Sequence, residues 1–486
     1  MSRGEITLGT KTGYPVSLTG VISAMRTMIL EFAIAYQEAP PTGELKMNAI
    51  VDGRRLGSKR RVIVIGLLLA LISLSATPAN AQARLVVRDS LGLSGLNLIC
   101  PLLGCNVVRS LGDPQGQLFL ITFPSILNPV TALLKINLQL GIVDAEIDQV
   151  ANTLDAYAGP APSYLTDEKP TSYYGTTVWH GYVAQPANQL IRTSTTQATY
   201  HVTGSGVTVA VIDTGVDPTN PVLQNLLVSG YDFTRNTNGG SEKSDVGTSP
   251  DLSQAQTAQV NQRTVAVLDQ RTVAVLDSSQ YSAFGHGTMT AGIVHLVAPQ
   301  AKIMPLKSFN AAGTGYDSDI LRAIYYAVKN GAKVLNMSFD YPSYSPELAN
   351  AIKYANSNGV ISVASAGNDG KQVAVYPGAL PSVIDVASTS NSDIQSVFTN
   401  YGAPPVWIAA PGEGVVTTYP WGTYAAGWGT SFSTPFVSGT AALMLGTNGN
   451  CTSYKVAPGL AHAVSISDPQ LGYGRLDTYQ AVQSCH

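Results

Sequence analysis

Residues 206–213, "GVTVAVID", form an unbroken apolar run rich in β-branched side chains that stops on an aspartate. Such a run reads as a strand buried on both faces. Downstream the pattern alternates. "TMTAGIVHL" (288–296) is a helix candidate and "AKIMPLKSF" (301–309) a strand. "SDILRAIYYAVKNG" (318–331) spaces Ile320, Ile324, Ala327 and Val328 as a helix does, with Gly331 as its stop. "VLNMSF" (334–339) is a strand, "PELANAIKYANSNG" (346–359) a helix and "VISVASAG" (360–367) a strand. Strand and helix repeated in this way predict an α/β fold, a mostly parallel sheet covered by helices on both faces. Working residues of such sheets gather at the carboxyl ends of the strands. Asp213 ends the first strand and Asn368 lies just past another.

The 486-residue chain has room for more than one domain, and 45% apolar content with 46 glycines is globular composition. Charged residues make up only 12% and the formal net charge is -3, so there is no basic excess to neutralise phosphates. Nucleic acid is therefore not an expected partner.

Arg54, Arg55, Lys59, Arg60 and Arg61 precede the apolar run "VIVIGLLLALISLSA" (62–76), and "TPANAQA" offers Ala79 and Ala81 as small residues before a cut at Gln82. This is a secretory signal pattern over 47–81, shorter than the ~20 residues of a spanning helix. It predicts a secreted protein with no membrane contact after cleavage, a periplasmic or signal-anchored form being the alternative. Residues 1–46 read as an over-extended N-terminus ahead of Met47. Four cysteines suit an exported protein and allow three pairings. If the chain is cut between the front and back pairs, only local pairing keeps each product self-contained. Cys451 with Cys485 is expected, while the Cys100 to Cys105 loop is so short that it restricts the geometry.

Asp213 in "VIDTGVD", His286 in "GHGTMTAG" and Ser431 in "GTSFSTPFVSGTAAL" follow in that order. A hydroxyl is a poor nucleophile at neutral pH. It needs an imidazole to take its proton, and the imidazole needs a carboxylate to hold its tautomer and steady its cation. Glycines beside His286 and before Ser431 are expected to let backbone approach a substrate. Ser431 is expected to head a helix that Pro435 enters near its first turn, with the positive helix end toward developing charge. Asn368 in "SAGNDG" supplies an amide for that oxyanion. His180, His201, His295, His462 and His486 lack the glycine frame and read as structural or exposed.

"VAVIDTGVD", "GHGTMTAGIV", "VLNMSF", "SAGND" and "GTSFSTPFVSGTAALML", in this order, resemble the subtilisin-like serine peptidases, and "GYGRLDTYQAV" (472–482) resembles their closing segment. The resemblance spans roughly 200 to 483. It implies that Asp213 orients the imidazole, His286 is general base and then acid, Ser431 attacks the carbonyl and Asn368 stabilises the oxyanion. It further implies a serine endopeptidase acting on polypeptides with no required cofactor. Calcium often stabilises the family, but no ligand set is assigned. Met289, Thr290, Phe432, Ser433 and Phe436 depart from the usual pattern behind the catalytic atoms. A catalytically silent binding protein of the same fold is the competing class, and a peptide ligase the chemical variant.

Residues 82–155 lack catalytic motifs. "RLVVRD", "NVVRSL" and "QLFLITF" read as strands and "NPVTALLKINLQLG" as a helix, followed by the polar "DAEIDQVANTLD". The resemblance implies a small α+β propeptide here, one that assists folding and blocks the active site until removed. Residues 156–200 hold the Pro- and Tyr-rich junction "AGPAPSYLTDEKPTSYYG", and 201–486 the catalytic domain. An insertion at 236–280 carries "QRTVAVLD" twice (262–277). An eight-residue period keeps the faces of a strand in phase and rotates those of a helix, so the repeat suits an extended ribbon.

By resemblance, "NMSFDYPSY" (336–344) walls the pocket for the residue before the cut bond. Ser338, Phe339, Asp340, Ser365, Ala366 and Gly367 are the substrate-binding candidates. The family usually continues Ser, Leu, Gly, Gly where this chain has Ser338, Phe339, Asp340 and Tyr341.

Overall fold

A computed structural model of the chain describes residues 50–51, 54–55, 82–153, 159–246, 265–267, 281–402, 406–447, 449, 451–468 and 470–486. The apolar run of the expected signal segment, residues 154–155 of the expected propeptide, residues 156–158 of the junction and the insertion from 247 to 280 apart from 265–267 lie outside the described residues. Among the described residues no helix is long and apolar enough to cross a membrane. The chain divides into two compact units, Met1–Ser110 with Pro114–Asp148, and Leu111–Asp113 with Gln149–His486.

The first unit is a four-stranded antiparallel sheet in the order Asn106–Ser110, Leu118–Phe123, Ala83–Asp89, Ile142–Ile147. Three of these strands stand where the apolar runs predicted them. The fourth runs into the polar stretch that starts at 144, and buries Ile142, Ala145 and Glu146. A helix over Pro129–Asn137 is capped by Asn128, whose side chain accepts from Val130 N at 2.8 Å. A second helix, Leu93–Leu103, contains Pro101 and falls where no element was expected. Its buried Leu96 and Cys100 join the core, and Cys100 is disulfide-bonded to Cys105.

In the second unit six parallel strands form the body of the sheet. They are β1 (Thr208–Asp213), β2 (Lys302–Lys307), β3 (Val334–Met337), β4 (Ile361–Ser365), β5 (Val383–Thr389) and β6 (Ile408–Pro411). Their spatial order is 2-1-3-4-5-6, extended beyond β2 by the short strands Tyr231–Asp232 and Thr237–Asn238. The chain leaves β1 for β2 on one side and returns to β3 on the other, so a crevice opens at the carboxyl end of β1. Helices α1 (His286–Val297) and α4 (Thr430–Leu445) pack on each other, and α2 (Asp317–Lys329) and α3 (Pro346–Ser357) form a second pair. Helix α2 buries Ile320, Leu321, Ile324 and Ala327 along one stripe. Helix α4 is buried through Met444, as befits a helix apolar on nearly every side. This unit also contains the Cys451–Cys485 disulfide.

Two features bear on the site. Strand Val150–Asn152 pairs antiparallel with Thr314–Tyr316, and on its other side Asn152 exchanges backbone hydrogen bonds with Asp340, both 3.2 Å. Val265–Val267, in the first copy of the repeat, pairs antiparallel with Ala425–Gly427. The extended reading therefore fits the part of the repeat that is described. The second copy lies outside the described residues.

Candidate active site

Asp213 is the last residue of β1 and has no solvent exposure. Its Oδ1 accepts from His286 Nδ1 and from Thr214 N, both at 2.7 Å, and its Oδ2 accepts from Thr290 Oγ1 at 3.2 Å. These bonds set the plane of the carboxyl and so the direction in which the imidazole points. His286 opens α1, and its ring meets the edge of Phe432 with centroids 5.7 Å apart. Phe432 follows Ser431, so the imidazole stands beside the first turn of α4.

The glycines around His286 serve a purpose different from the one expected. A Cβ on Gly285 would stand 2.2 Å from Tyr419 Cε2, and one on Gly287 would stand 2.0 Å from Gly215 O. They bring protein against protein, fitting the His286 turn onto the loop after Asp213, rather than clearing space for a substrate. Gly285 also holds φ at 90°, a left-handed conformation that costs glycine little.

Ser431 is the second residue of α4, which begins one residue before it, and Pro435 lies in the second turn rather than the first. A proline there removes the N–H that would bond to the carbonyl four residues earlier, that of Ser431. Ser338 Oγ donates to the Ser431 carbonyl instead, at 3.0 Å. Asn336 Nδ2 donates to Ser338 Oγ at 3.0 Å, and Ser438 Oγ donates to Asn336 Oδ1 at 2.9 Å. A buried chain of amide and hydroxyl groups thus ties β3 to α4 behind Ser431. Ser431 Oγ itself donates to Ser338 O at 3.4 Å.

Asn368 follows β4, and its Oδ1 accepts from Thr430 N at 2.9 Å and Thr430 Oγ1 at 3.0 Å. One N–H that the first turn of α4 leaves over is satisfied in this way. With Oδ1 turned to Thr430, Nδ2 is the donor end of the amide.

The wall candidates divide by environment. Phe339 is buried with its ring 4.9 Å from Phe309, and its carbonyl accepts from Ser365 Oγ at 3.2 Å. Ser338, Ser365 and Ala366 are buried as well. Asp340 is half-buried, with Oδ2 3.0 Å from where a Cβ on Gly367 would stand. Its carboxyl therefore reaches from one wall segment to the other. Tyr341 turns inward and donates from its hydroxyl to Asp317 Oδ1 at 2.8 Å. Asp385 on β5, which sequence reading passed over, lies beneath Gly378 and leaves Oδ1 buried with no hydrogen-bond partner. Burial and the neighbouring Asp369 push Asp340 up to about 7, and burial with Asp340 pushes Asp385 up to about 8.

Among the described residues no group of three or more His, Cys, Asp or Glu side chains is arranged to hold a metal ion. The other histidines do not join the site. His295, at the far end of α1, is fully buried between Tyr173 and Tyr182, and burial pushes it down to about 4.

Comparison with known proteins agrees with this architecture. The Subtilase family model matches residues 204–477. A thermophilic serine proteinase of Bacillus sp. (strain AK1) is 31% identical over 351 residues, covering 71% of this chain and 77% of that protein. Thermitase of Thermoactinomyces vulgaris is 31% identical over 291 residues, covering 58% of this chain and 90% of that protein. The crystal structure of fervidolysin from Fervidobacterium pennivorans, described as a keratinolytic enzyme related to subtilisin, superposes with a TM-score of 0.63 at 23% identity. That match covers 84% of this chain and 62% of fervidolysin, and shows the fold alone. The molecule is thus a hydrolase of the serine-type endopeptidase class. The chain belongs to the subtilase family, whose catalysis needs no cofactor.

Proposed function

We propose that the protein is a secreted endopeptidase, made as a precursor, that cleaves polypeptides through an acyl-enzyme formed on Ser431. His286 takes the Ser431 proton as the hydroxyl attacks the carbonyl and returns it to the leaving amine, while buried Asp213 holds the imidazole tautomer and stabilises its cation. The Nδ2 end of Asn368 donates to the tetrahedral oxyanion. The observation that carries this reading is the 2.7 Å bond from His286 Nδ1 to Asp213 Oδ1 on a ring that adjoins the Ser431 turn.

Residues 47–81 act as the signal segment and residues 82–155 as the propeptide, an intramolecular chaperone and inhibitor. The extended segment 149–153 supports this. It hydrogen-bonds along Thr314–Tyr316 and to Asp340, the manner in which a peptide strand would be held for cleavage. Ser338, Phe339 and Asp340 form one wall of the site for the residue before the cut bond, and Ser365, Ala366 and Gly367 the other.

A fluorophosphonate probe tests the chemistry, because it reacts only with an activated serine. The mature protein is expected to be labelled on Ser431. Folded protein that has lost the propeptide and still takes no label would remove the reading.

A further inference from the structure

Glu242 sits on the short turn Glu242–Asp245, within the stretch that looked like an insertion, and has no solvent exposure. A carboxyl in the interior must find donors. This one finds three, on two other segments of the chain. Its Oε2 accepts from Gly285 N at 2.8 Å and from Thr214 Oγ1 at 3.2 Å, and its Oε1 is bonded by the Thr288 hydroxyl. Thr214 Oγ1 in turn accepts from Gly287 N at 3.0 Å, and Thr288 Oγ1 accepts from Asp217 N at 2.8 Å. Thr214 follows Asp213, while Gly285, Gly287 and Thr288 bracket His286. One side chain therefore clamps the loop that carries the carboxylate to the turn that carries the imidazole.

We propose that Glu242 is a positioning residue for the Asp213 and His286 pair, fixing the 285–288 turn against the 213–217 loop so that the imidazole keeps its bearing on Ser431. This rests on the serine peptidase reading above. It also gives the root of the insertion a part in the enzyme's work.

The charged surroundings are mixed. Burial, opposed by the Thr288 hydrogen bond, pushes Glu242 up to about 8; Asp217 adds to the rise, and Lys307 and the Gly285 N–H oppose it. Lys307 Nζ is engaged by Thr214 O, Phe309 O and Asp245 Oδ2, and Lys243 Nζ is paired with Asp217 Oδ1 at 2.9 Å. The buried Tyr419 phenol and the Asp213 and His286 pair complete the neighbours that titrate. Below about 8 the group is protonated, and a glutamine would imitate that form, donating to Thr288 Oγ1 while accepting from Gly285 N. Above it, the new negative charge near His286 favours the imidazolium of the transition state.

The test compares Glu242→Ala and Glu242→Gln with wild type by kcat, KM and the rate of fluorophosphonate labelling across pH. The alanine variant is expected to lose about 100-fold in kcat with KM nearly unchanged, the size of effect that a misplaced catalytic group produces. The glutamine variant is expected to match wild type below pH 7 and fall behind it above about 8. A folded alanine variant with wild-type kcat, or a loss confined to KM, overturns the proposal. If the alanine variant does not fold, a folded Thr214→Val variant, which removes the hydroxyl that joins Glu242 to Gly287 N, overturns it by keeping wild-type kcat. Failure of wild type itself to label would instead remove the peptidase reading.

Discussion

The hydroxyl of Ser338 donates to the carbonyl of Ser431 at 3.0 Å, taking the place of the helical N–H that Pro435 lacks. The bond joins the carboxyl end of β3 to the first turn of α4. Removing it in Ser338→Ala leaves a buried acceptor unsatisfied, at about 1–3 kcal/mol. Pro435→Ala restores an N–H facing the same carbonyl. The double variant is expected to be more stable than the sum of the single effects, and a double-mutant cycle of urea midpoints checks this. Strictly additive effects would show that the two residues do not share one acceptor.

Substitution of the proposed nucleophile should arrest maturation. Ser431→Ala, purified after signal removal, is expected to remain full length in isolation, as intact-mass measurement would show. Trimming of the isolated variant to the mature size of wild type would exclude self-processing.

Asp340 should shape which bond is cut. Its carboxyl spans the two wall segments, and above about 7 to 8 both it and Asp385 carry charge with mutual repulsion. Cleavage after large aromatic residues is expected to be weak and cleavage after lysine to gain on it as pH rises through that range. Asp340→Gly is expected to raise kcat/KM for phenylalanine. A peptide library would refute this if wild type prefers Phe or Leu at every pH and the glycine variant keeps the same profile.

His295 should limit acid stability. Its folded pKa of about 4 lies below the unfolded value of ~6.5, so the native state binds fewer protons. Its stabilising share is complete above the unfolded value and is lost as pH falls from there toward 4. Replacing it with phenylalanine, which keeps a ring between Tyr173 and Tyr182, is expected to flatten the fall of Tm over that window. An unchanged slope would place the acid sensitivity elsewhere.

One copy of the repeat should be dispensable. Deleting 262–269 shifts the chain by an even number of residues, so the second copy can offer the same face to Ala425–Gly427. Peptidase activity is expected to survive. A folded deletion variant without activity would show that both copies are needed.

Much of the catalytic unit was legible in the amino-acid sequence. An apolar run rich in β-branched residues announced β1, short apolar runs announced β3 and β4, 3.6-residue spacing announced α2, and the order of Asp213, His286 and Ser431 announced the chemistry. These signals are local, because strand and helix periodicity is expressed within a few residues of the chain. The same locality explains the errors. Pro435 looked like a helix-start proline because the group that replaces its missing N–H, the Ser338 hydroxyl, is 93 residues from the Ser431 carbonyl it serves. Glu242 looked like part of a polar loop because its donors on Thr214 and Gly285 are 28 and 43 residues distant. Whether a carboxyl is solvated or buried depends on what packs over it, and no spacing rule reports that. The amino-acid sequence carried the fold class, the order of the reactive groups and the expectation of Cys451 with Cys485, while the Cys100–Cys105 bond came from the structure. Which glycines make room for protein, where Asp340 reaches and which buried carboxyl clamps the His286 turn came from the folded chain, because each is a contact between segments far apart along it.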